Sequence, residues 1–359
     1  MNKAVSVLAP PAWSKSEPAA RPTFHDTLNR PLRDLRLSVI DRCNFRCPYC
    51  MPAEEYPDGY TFLDKKEWLT FEEITRLVRL FIKLGVTKIR ITGGEPLLRQ
   101  NLPGLIRLLN QIPGIEDLAI TTNGFFLKQF AQSLKAAGLK RITVSLDTLD
   151  ENIFQIMNGH RGSVKKILAG IKEAGQAGFH PIKINVVVQK GVNDQTLLDL
   201  IDYFRGLGHI VRFLEYMDVG NRNHWTSALV VPSSKILSKI HEQFPVEPIK
   251  PKYHGEVASR YRFKDGQGEI GFISSVTQPF CGTCTRARLS TDGKLYTCLF
   301  ASEGVDLCRL LRNGADDDRV LDTIMATWTK RDDRYSEQRF DLLSHHEQHK
   351  KIEMYQIGG

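Results

Sequence analysis

Short apolar or alternating segments recur along the first two thirds of the chain, separated by stretches with helical periodicity. Strands are predicted at 35–40, 88–92, 118–122, 141–146, 183–188 and 211–216. After the first strand, Thr70 and Glu73 have the spacing of a capping box, and Gly85 is placed to end the helix that follows. Further helices are predicted over about 101–111, 127–137, 163–177 and 194–206.

Six successive strand–helix units predict an α/β fold with parallel strands and right-handed crossovers. The favoured fold class is an incomplete (βα)6 TIM-like barrel with a β-rich extension at its carboxyl end. A doubly wound open sheet is the competing architecture, and periodicity alone leaves that choice open.

Several predicted strands alternate polar and apolar residues, although strands covered on both faces normally read as continuous apolar runs. Side chains two positions apart point to the same face of a strand. One face therefore carries Arg36, Ser38, Lys88, Arg90, Thr92, Thr143, Ser145, Asp147, Lys183 and Asn185. This pattern predicts a polar lumen for an anionic ligand, with strand ends or an exposed edge as the other interpretation.

The rhythm changes after Tyr216. A helix is predicted over 232–244, short strands around 257–263, 269–274, 287–290 and 294–299, and helix again over 305–330. We therefore divide the chain into a flexible extension without an assigned role (1–32), the barrel (33–230), a carboxyl-terminal β-rich region (231–330) and a polar, mobile tail that ends in Gly-Gly (331–359).

Composition excludes some classes of protein. The 359 residues are 42% hydrophobic, which is enough for a full core, and no apolar run is long enough to cross a bilayer. The net charge of +8 comes without a long Lys/Arg block, so no nucleic-acid partner is predicted. The first 30 residues have no apolar core of the secretory type, so we expect a cytoplasmic protein, with an organelle-targeting segment as the alternative.

The stretch CNFRCPYC places Cys43, Cys47 and Cys50 within eight residues, directly after the first predicted strand. Three thiolates are one too few for a structural zinc site, but they suit a four-iron cluster that keeps one iron open for another ligand. A zinc knuckle that takes a distant fourth ligand is the alternative.

A second set consists of Cys281, Cys284 and Cys298. Alone it would suit a zinc ribbon with Cys308 as the fourth ligand. Arg286 and Arg288 follow the first two cysteines immediately, however, and arginine is the preferred side chain for phosphate recognition.

The spacing of the first set resembles the signature of radical S-adenosylmethionine (SAM) enzymes, and Gly93-Gly94-Glu95-Pro96 resembles their GGEP element. The resemblance implies a [4Fe–4S] cluster held by Cys43, Cys47 and Cys50, whose open iron chelates SAM. It also implies that the SAM-binding residues are Tyr49, Gly94, Ser145 and Met217.

The second set, its Arg-x-Arg and the terminal Gly-Gly are similar to those of the GTP 3′,8-cyclases, the radical SAM family that begins molybdenum cofactor biosynthesis. The resemblance implies a second [4Fe–4S] cluster on Cys281, Cys284 and Cys298. It implies that GTP is bound by Arg36, Arg90, Thr121, Lys183, Arg286 and Arg288. It places Gly358 and Gly359 at the reacting centre. Arg212, on the sixth predicted strand, is a further cation expected to face the cavity and is the other catalytic candidate.

The implied partners are GTP, an electron donor and the pyranopterin-forming enzyme that acts next, and a homodimer is left open. Two other functions remain at this point. One is a peptide-modifying radical SAM enzyme with auxiliary clusters, and the other is a zinc-ribbon protein that binds nucleic acid.

Overall fold

The computed structural model describes residues 24–253, 255–344 and 350–358. The first part of the chain alternates strands and helices: β1 (Asp34–Ser38), α1 (Phe71–Lys83), β2 (Lys88–Thr92), α2 (Leu102–Asn110), β3 (Asp117–Thr122), α3 (Leu127–Ala136), β4 (Arg141–Ser145), α4 (Glu151–Asn158), α5 (Val164–Gln176), β5 (Lys183–Val188), α6 (Leu197–Arg205) and β6 (Ile210–Glu215). The remainder adds α7 (Ser233–Gln243), β7 (Val246–Ile249), β8 (Ser259–Phe263), β9 (Glu269–Ile273), β10 (Arg286–Leu289), β11 (Lys294–Tyr296), β12 (Val305–Asp306), α8 (Leu307–Arg312), α9 (Asp317–Thr329), α10 (Tyr335–Ser344) and α11 (Met354–Ile357).

All these strands belong to one sheet, in the order β12-β11-β10-β1-β2-β3-β4-β5-β6-β9-β8-β7. Strands β1 to β6 are parallel to one another, and β10 and β9 pair parallel to the two outer strands β1 and β6. The antiparallel strands lie outside these. The predicted partial barrel is confirmed, and its β-rich extension continues both edges of the same sheet.

Local signals account for most of the barrel. The capping box is formed as predicted: the amide of Glu73 donates to the Thr70 hydroxyl at 3.2 Å, and the amide of Thr70 donates to the Glu73 carboxylate at 2.8 Å. On β1 and β2 the apolar residues Leu35, Leu37, Ile89 and Ile91 are buried in the core. The alternate residues therefore face the lumen. The short helix α4 was not predicted, because eight residues give little periodicity.

Two segments differ from the sequence-based expectation. Residues 335–344, assigned to a mobile tail, form α10, and the Arg339 side chain of that helix is fully buried. Residues 24–32, assigned to a flexible extension, pack against the carboxyl-terminal region, with Asp26, Arg30 and Leu32 buried. Both differences arise from contacts with residues distant in the sequence, and a local sequence pattern carries no information about such contacts.

Within the residues described, none of the helices combines the length and apolar character needed to cross a membrane.

Candidate active site

The first cysteine set lies on the loop that leaves the carboxyl end of β1. Cys43, Cys47 and Cys50 are free and half-buried. The amides of Cys50 and Met51 both donate to the carbonyl oxygen of Cys47, at 2.9 and 2.8 Å, and these bonds close the turn that carries the set. The carboxyl ends of the strands are where α/β barrels hold their reactive groups.

Arg46, inside the same loop, braces it. Its guanidinium donates to the carbonyl oxygens of Cys43 and Phe45, both at 2.9 Å, and to that of Tyr56 at 2.6 Å. Charge-assisted hydrogen bonds are stronger than neutral ones. The orientation of the Cys43 backbone therefore depends on a residue three positions away in the sequence.

Burial favours the neutral thiol throughout the first set. It raises the pKa of Cys43 to about 12, and burial together with the charge of Cys43 raises the pKa values of Cys47 and Cys50. The Phe45 amide and Nδ2 of Asn123 approach the Cys43 sulfur at 3.4 and 3.8 Å. Three such thiols suit a site where metal ions supply the positive charge that turns them into thiolates. The donor set therefore fits an iron–sulfur cluster.

The residues expected to contact SAM follow the carboxyl ends of the strands. Tyr49 donates its hydroxyl to Asp147 at 2.7 Å, just beyond β4, and Asp147 also accepts from the Val187 amide at 2.8 Å. These bonds hold the tyrosine ring above the end of the sheet. Ser145 is the last residue of β4 and lies beside Asn185 of β5.

The turn after β2 packs directly on the chain that leads to the first cysteine. The Gly94 amide donates to the Ile40 carbonyl at 2.8 Å. A Cβ at Gly94 would lie 2.3 Å from the Arg42 carbonyl oxygen, so the close approach requires glycine. Backbone groups of this turn are thus brought beside the first cysteine loop.

The second cysteine set is assembled from two separate segments. Cys281 and Cys284 flank a short turn before β10, and Cys298 follows β11; all three line the same cavity. The Arg286 guanidinium donates to the Cys284 sulfur from two nitrogens, at 3.3 and 3.2 Å. Burial opposes ionisation of Cys284, but Arg286 and Arg331 outweigh it and lower the pKa to about 6. Burial raises the pKa of Cys298 to about 12.

Cys308 lies apart from this set. It is buried in the main hydrophobic core near the start of α8, where its Cβ would be 2.6 Å from a Cβ at Gly293. Cys298 packs instead with Val219, Phe300 and Tyr335 in a separate cluster. Cys308 is thus a core residue and not a fourth ligand. In the part of the chain that the structure covers, no three His, Cys, Asp or Glu side chains converge tightly enough to hold a single metal ion.

A cavity of about 200 Å³ that opens to solvent lies inside the barrel, between the amino-terminal halves of its strands and the second cysteine set. The residues expected to contact GTP all line it, namely Arg36, Arg90, Thr121, Lys183, Arg286 and Arg288. Arg212 and Met217 line it as well. The predicted polar lumen therefore exists, and it is strongly cationic.

Strand register brings three arginines side by side. Arg288 of β10 pairs with Arg36 of β1, which pairs in turn with Arg90 of β2. Neighbouring strands are about 4.8 Å apart. Burial, and then the positive charge of a neighbouring arginine, lowers the pKa of each of the three. Like charges held this close repel one another, and a bound polyanion relieves that repulsion.

Lys183 and Arg212 extend the positive charge along the far wall. Burial first, and then the charge of Arg212, lowers the pKa of Lys183 to about 7. Arg212 donates to the Asn185 side chain at 2.7 Å, which fixes its direction along the wall. Both positions were expected from the sequence, Lys183 as a GTP contact and Arg212 as a catalytic candidate that faces the cavity.

The structure adds residues that were not among the predicted site residues. The same cavity is also lined by Arg141, Tyr253 and Arg331. Arg141 is paired with Asp117, and the ring centre of Tyr253 is 3.0 Å from the Lys88 ammonium. Arg141 stands two positions before Thr143 on β4, so strict alternation could have identified it. Tyr253 and Arg331 come from irregular carboxyl-terminal segments that carry no such signal.

The carboxyl-terminal tail enters the barrel. Arg288 donates to the Gly358 carbonyl oxygen. Gly358 has a φ of 64°, and a Cβ there would lie 2.2 Å from the Thr92 hydroxyl at the end of β2. Glycine is therefore required on both conformational and steric grounds. Gly359, expected at the same place, lies outside the described residues.

The chain matches known families and proteins along most of its length. The family model of the radical SAM superfamily matches residues 37–204, and that of Molybdenum Cofactor Synthesis C matches residues 209–337. A GTP 3′,8-cyclase of Xanthomonas axonopodis pv. citri is 53% identical over 94% of this chain and 99% of its own length. A GTP 3′,8-cyclase of Staphylococcus epidermidis is 52% identical, also over 94% of this chain and 99% of its own length. One from Acidothermus cellulolyticus is 49% identical, again over 94% and 99%.

Solved structures support the fold independently. Streptococcus suis SuiB bound to S-adenosylmethionine superimposes with a TM-score of 0.58 over 83% of this chain and 69% of SuiB. Its sequence identity is 14%, so the likeness concerns the fold alone.

Proposed function

Because this chain belongs to the GTP 3′,8-cyclase family of radical SAM proteins, we propose that it converts GTP to (8S)-3′,8-cyclo-7,8-dihydroguanosine 5′-triphosphate. SAM is cleaved to methionine and 5′-deoxyadenosine in the same reaction, which is the first step of molybdenum cofactor biosynthesis. The observation that carries this function on the structure is the row Arg288–Arg36–Arg90, in a cavity whose wall contains the second cysteine set.

The first cysteine set provides the radical SAM site. Cys43, Cys47 and Cys50 would hold a [4Fe–4S] cluster and leave one iron open to the amino and carboxylate groups of SAM. When bound, the cluster and SAM supply the one-electron chemistry that generates the 5′-deoxyadenosyl radical. The protein's contribution is to place SAM, with Tyr49 fixed by Asp147 and with the Gly94 turn packed against the cysteine loop.

The second cysteine set would hold a further [4Fe–4S] cluster, again with three protein ligands. Its position in the cavity wall supports a role in holding the guanine base of GTP. Arg286 and Arg331 stabilise the thiolate of Cys284, which a metal ligand requires. This second site distinguishes the protein from a radical SAM enzyme that acts through one cluster.

The cationic cavity orients the substrate. Arg288, Arg36 and Arg90 face the triphosphate, with Lys183 on the opposite wall, and Thr121 contributes a hydroxyl. Holding both ends of GTP places the ribose 3′ carbon for hydrogen abstraction and C8 of the base for attack by the resulting carbon radical. Gly358, held by Arg288 against Thr92, occupies the space between this row and the carboxyl ends of the strands.

Partners follow from the reaction. Each turnover takes two electrons from an external donor: one reduces the first site so that SAM is cleaved, and the other, together with a proton, reduces the radical left on the base after C8 is attacked. The cyclised nucleotide must pass to an enzyme that forms the pyranopterin. A cytoplasmic location suits both requirements.

The test is anaerobic incubation of the reconstituted protein with GTP, SAM and a reductant, followed by mass analysis of the nucleotide. We expect a product with the mass of GTP and a changed fragmentation pattern, together with 5′-deoxyadenosine. Cys308→Ala serves as the matched control, because it removes a thiol that is buried in the core, and it should retain the activity. Release of 5′-deoxyadenosine with unchanged GTP in every GTP-saturated sample would contradict the proposal.

A further inference from the structure

A buried group of three charged side chains lies behind the second cysteine set. Asp26, Arg30 and Arg331 join across more than 300 positions of sequence, and their side chains are at most 2% exposed. Arg30 Nε donates to Asp26 Oδ2 at 2.5 Å, and Arg331 Nη1 donates to the same oxygen at 3.2 Å. The other carboxylate oxygen accepts the amides of Leu28 and Arg30 at 3.0 and 2.9 Å. The carboxylate thus holds both guanidinium groups in fixed positions.

Each arginine of this group also bonds to the backbone of one cysteine. Arg30 Nη1 donates to the Cys281 carbonyl oxygen at 2.8 Å and to that of Asp333 at 2.8 Å. Arg331 Nη1 donates to the Cys284 carbonyl oxygen at 2.8 Å. Both cysteines of the Cys-x2-Cys pair are therefore held by arginines that share one carboxylate.

The plain alternative is a polar group that merely ties the amino-terminal segment to α9. Part of the geometry serves that purpose, because Trp328 Nε1 donates to the Arg30 carbonyl oxygen at 3.1 Å. Simple anchoring, however, gives no reason for both guanidinium groups to end on cysteine carbonyls. The first set shows the same device, since Arg46 donates to the Cys43 carbonyl oxygen. Orienting a ligand by hydrogen bonds to the groups behind it is how metal sites are commonly tuned.

We propose that Asp26, Arg30 and Arg331 form a bracket that positions Cys281 and Cys284 for the second cluster, so that residues 26–30 of the amino-terminal segment are part of the second metal site. This inference rests on the second cluster of the proposed function. The three are positioning residues, because in the structure they act through the backbone of the cysteines. Arg331 has an added electrostatic effect on Cys284, which is separate from the bracket.

The test separates the two sites by iron binding. In one background Cys43, Cys47 and Cys50 are replaced by alanine, so retained iron reports the second site alone. In the other background Cys281, Cys284 and Cys298 are replaced, so iron reports the first site. Into each we introduce Asp26→Asn with Arg30→Gln, which removes one negative and one positive charge of the group and leaves Arg331 paired with Asp333. Arg30→Lys is the conservative variant, and Arg46→Gln is the matched control at the first loop.

We expect the Asp26→Asn/Arg30→Gln pair to weaken iron retention at the second site against a chelator by about tenfold or more, and to leave the first site and its SAM cleavage unchanged. Arg46→Gln should show the reverse selectivity. Arg30→Lys keeps a positive charge beside Asp26, but a single ammonium cannot reproduce the planar fork of arginine. It should therefore remain folded with an intermediate loss at the second site.

Two results would overturn the bracket. One is unchanged iron retention and an unchanged electron paramagnetic resonance spectrum of the second site in all Asp26 and Arg30 variants. The other is an equal loss of iron at both sites, which would make the group a general stability element. If the second set holds no cluster at all, the result is different. The parent protein that lacks the first set but keeps Cys281, Cys284 and Cys298 would then bind no iron.

Discussion

The two cysteine sets each present three thiols, but they differ in how much long-range structure brings those thiols together. The first occupies eight consecutive residues, and Arg46, which braces it, lies within them. The second draws Cys298 from beyond β11, and its bracing arginines come from positions 30 and 331. The hydrogen bonds by which Arg46 braces the first loop span at most 10 positions of sequence, whereas the group that braces the second set joins residues 305 positions apart.

Their electrostatic surroundings differ as well. In the first set burial dominates, and the pKa values of all three thiols are raised. In the second set Arg286 and Arg331 outweigh burial at Cys284 and lower its pKa to about 6. The first set thus depends on bound metal for its positive charge, while the second lies at the edge of a cationic cavity. This difference suits a ligand with a net positive charge, such as SAM, at the first set and a polyanion at the second.

The largest expected effect would separate the chemistry of the two sets. Cys47→Ala should abolish SAM cleavage and cyclisation, each by more than about a thousandfold, because no radical forms. Cys284→Ala should abolish cyclisation but leave SAM cleavage within about threefold, since independent sites behave additively. Measuring 5′-deoxyadenosine and cyclised nucleotide in the same samples tests this. Equal loss of SAM cleavage in both variants would break the comparison.

Gly358 lies between the arginine row and the carboxyl ends of the strands. Replacing it tests which of the two cysteine sets depends on the carboxyl-terminal tail. Gly358→Ala would place a Cβ 2.2 Å from the Thr92 hydroxyl at a positive φ. We expect cyclisation to fall by about a hundredfold through misplacement of the tail, with SAM binding retained. Gly191→Ala is the control, because it has a similar φ of 77° and nothing within 4 Å of the added Cβ. A Gly358→Ala enzyme as active as Gly191→Ala would remove the tail from the site, and Gly359 variants extend the same test.

The pH dependence of GTP binding tests the electrostatic difference between the surroundings of the two cysteine sets. The pKa of Lys183 is held at about 7 by burial and by Arg212, so the side chain loses its proton as the pH rises through neutrality. GTP favours the charged form, so its affinity should fall above this pH by up to about tenfold per pH unit. The side chain of the Lys183→Arg variant stays charged, so its GTP affinity should lack the part of the pH dependence that Lys183 causes. Identical KM profiles for GTP in the two proteins would contradict the assignment.

The same titration affects folding with the opposite sign. The lowered pKa means that the unfolded chain binds this proton more tightly than the folded one, between pH about 7 and the ordinary value of 10.5. The free energy of unfolding of the GTP-free protein should therefore gain a contribution from Lys183 as the pH rises across that window. Chemical denaturation of the wild type and of Lys183→Met, compared across that range, measures it. The Met variant should lack the contribution.

The smallest expected effect concerns Arg286. Its two hydrogen bonds to the Cys284 sulfur place positive charge beside the proposed second cluster. Arg286→Gln should make the reduction potential of that cluster more negative, on the order of tens of millivolts, because the reduced form loses stabilisation. Arg90→Gln is the matched control, because Arg90 is another cation of this cavity. Its guanidinium bonds to Thr121 and Thr143 and not to sulfur. Equal shifts in the two variants would make the effect one of general charge.

Much of the barrel could be predicted because its signals are local. The strand at 88–92 and the helix after Thr70 were identified from alternation and from the capping box, which depend on neighbours a few positions apart. The polar face that includes Arg36 and Arg90 was visible for the same reason, since side-chain direction alternates along a strand. The first cysteine loop was identifiable because its whole ligand set is contiguous.

Tertiary structure alone decided which residues meet. It placed β10 beside β1, and so put Arg288 next to Arg36 and closed the arginine row. It also brought Asp26 to Arg331 behind the second cysteines, and Gly358 to Thr92. Pairing between distant segments is set by which surfaces are complementary once the core has packed, and no period in the chain encodes it. The amino acids thus determined a cationic barrel that carries two sets of three thiols, and the fold determined how the surroundings of these two cysteine sets differ.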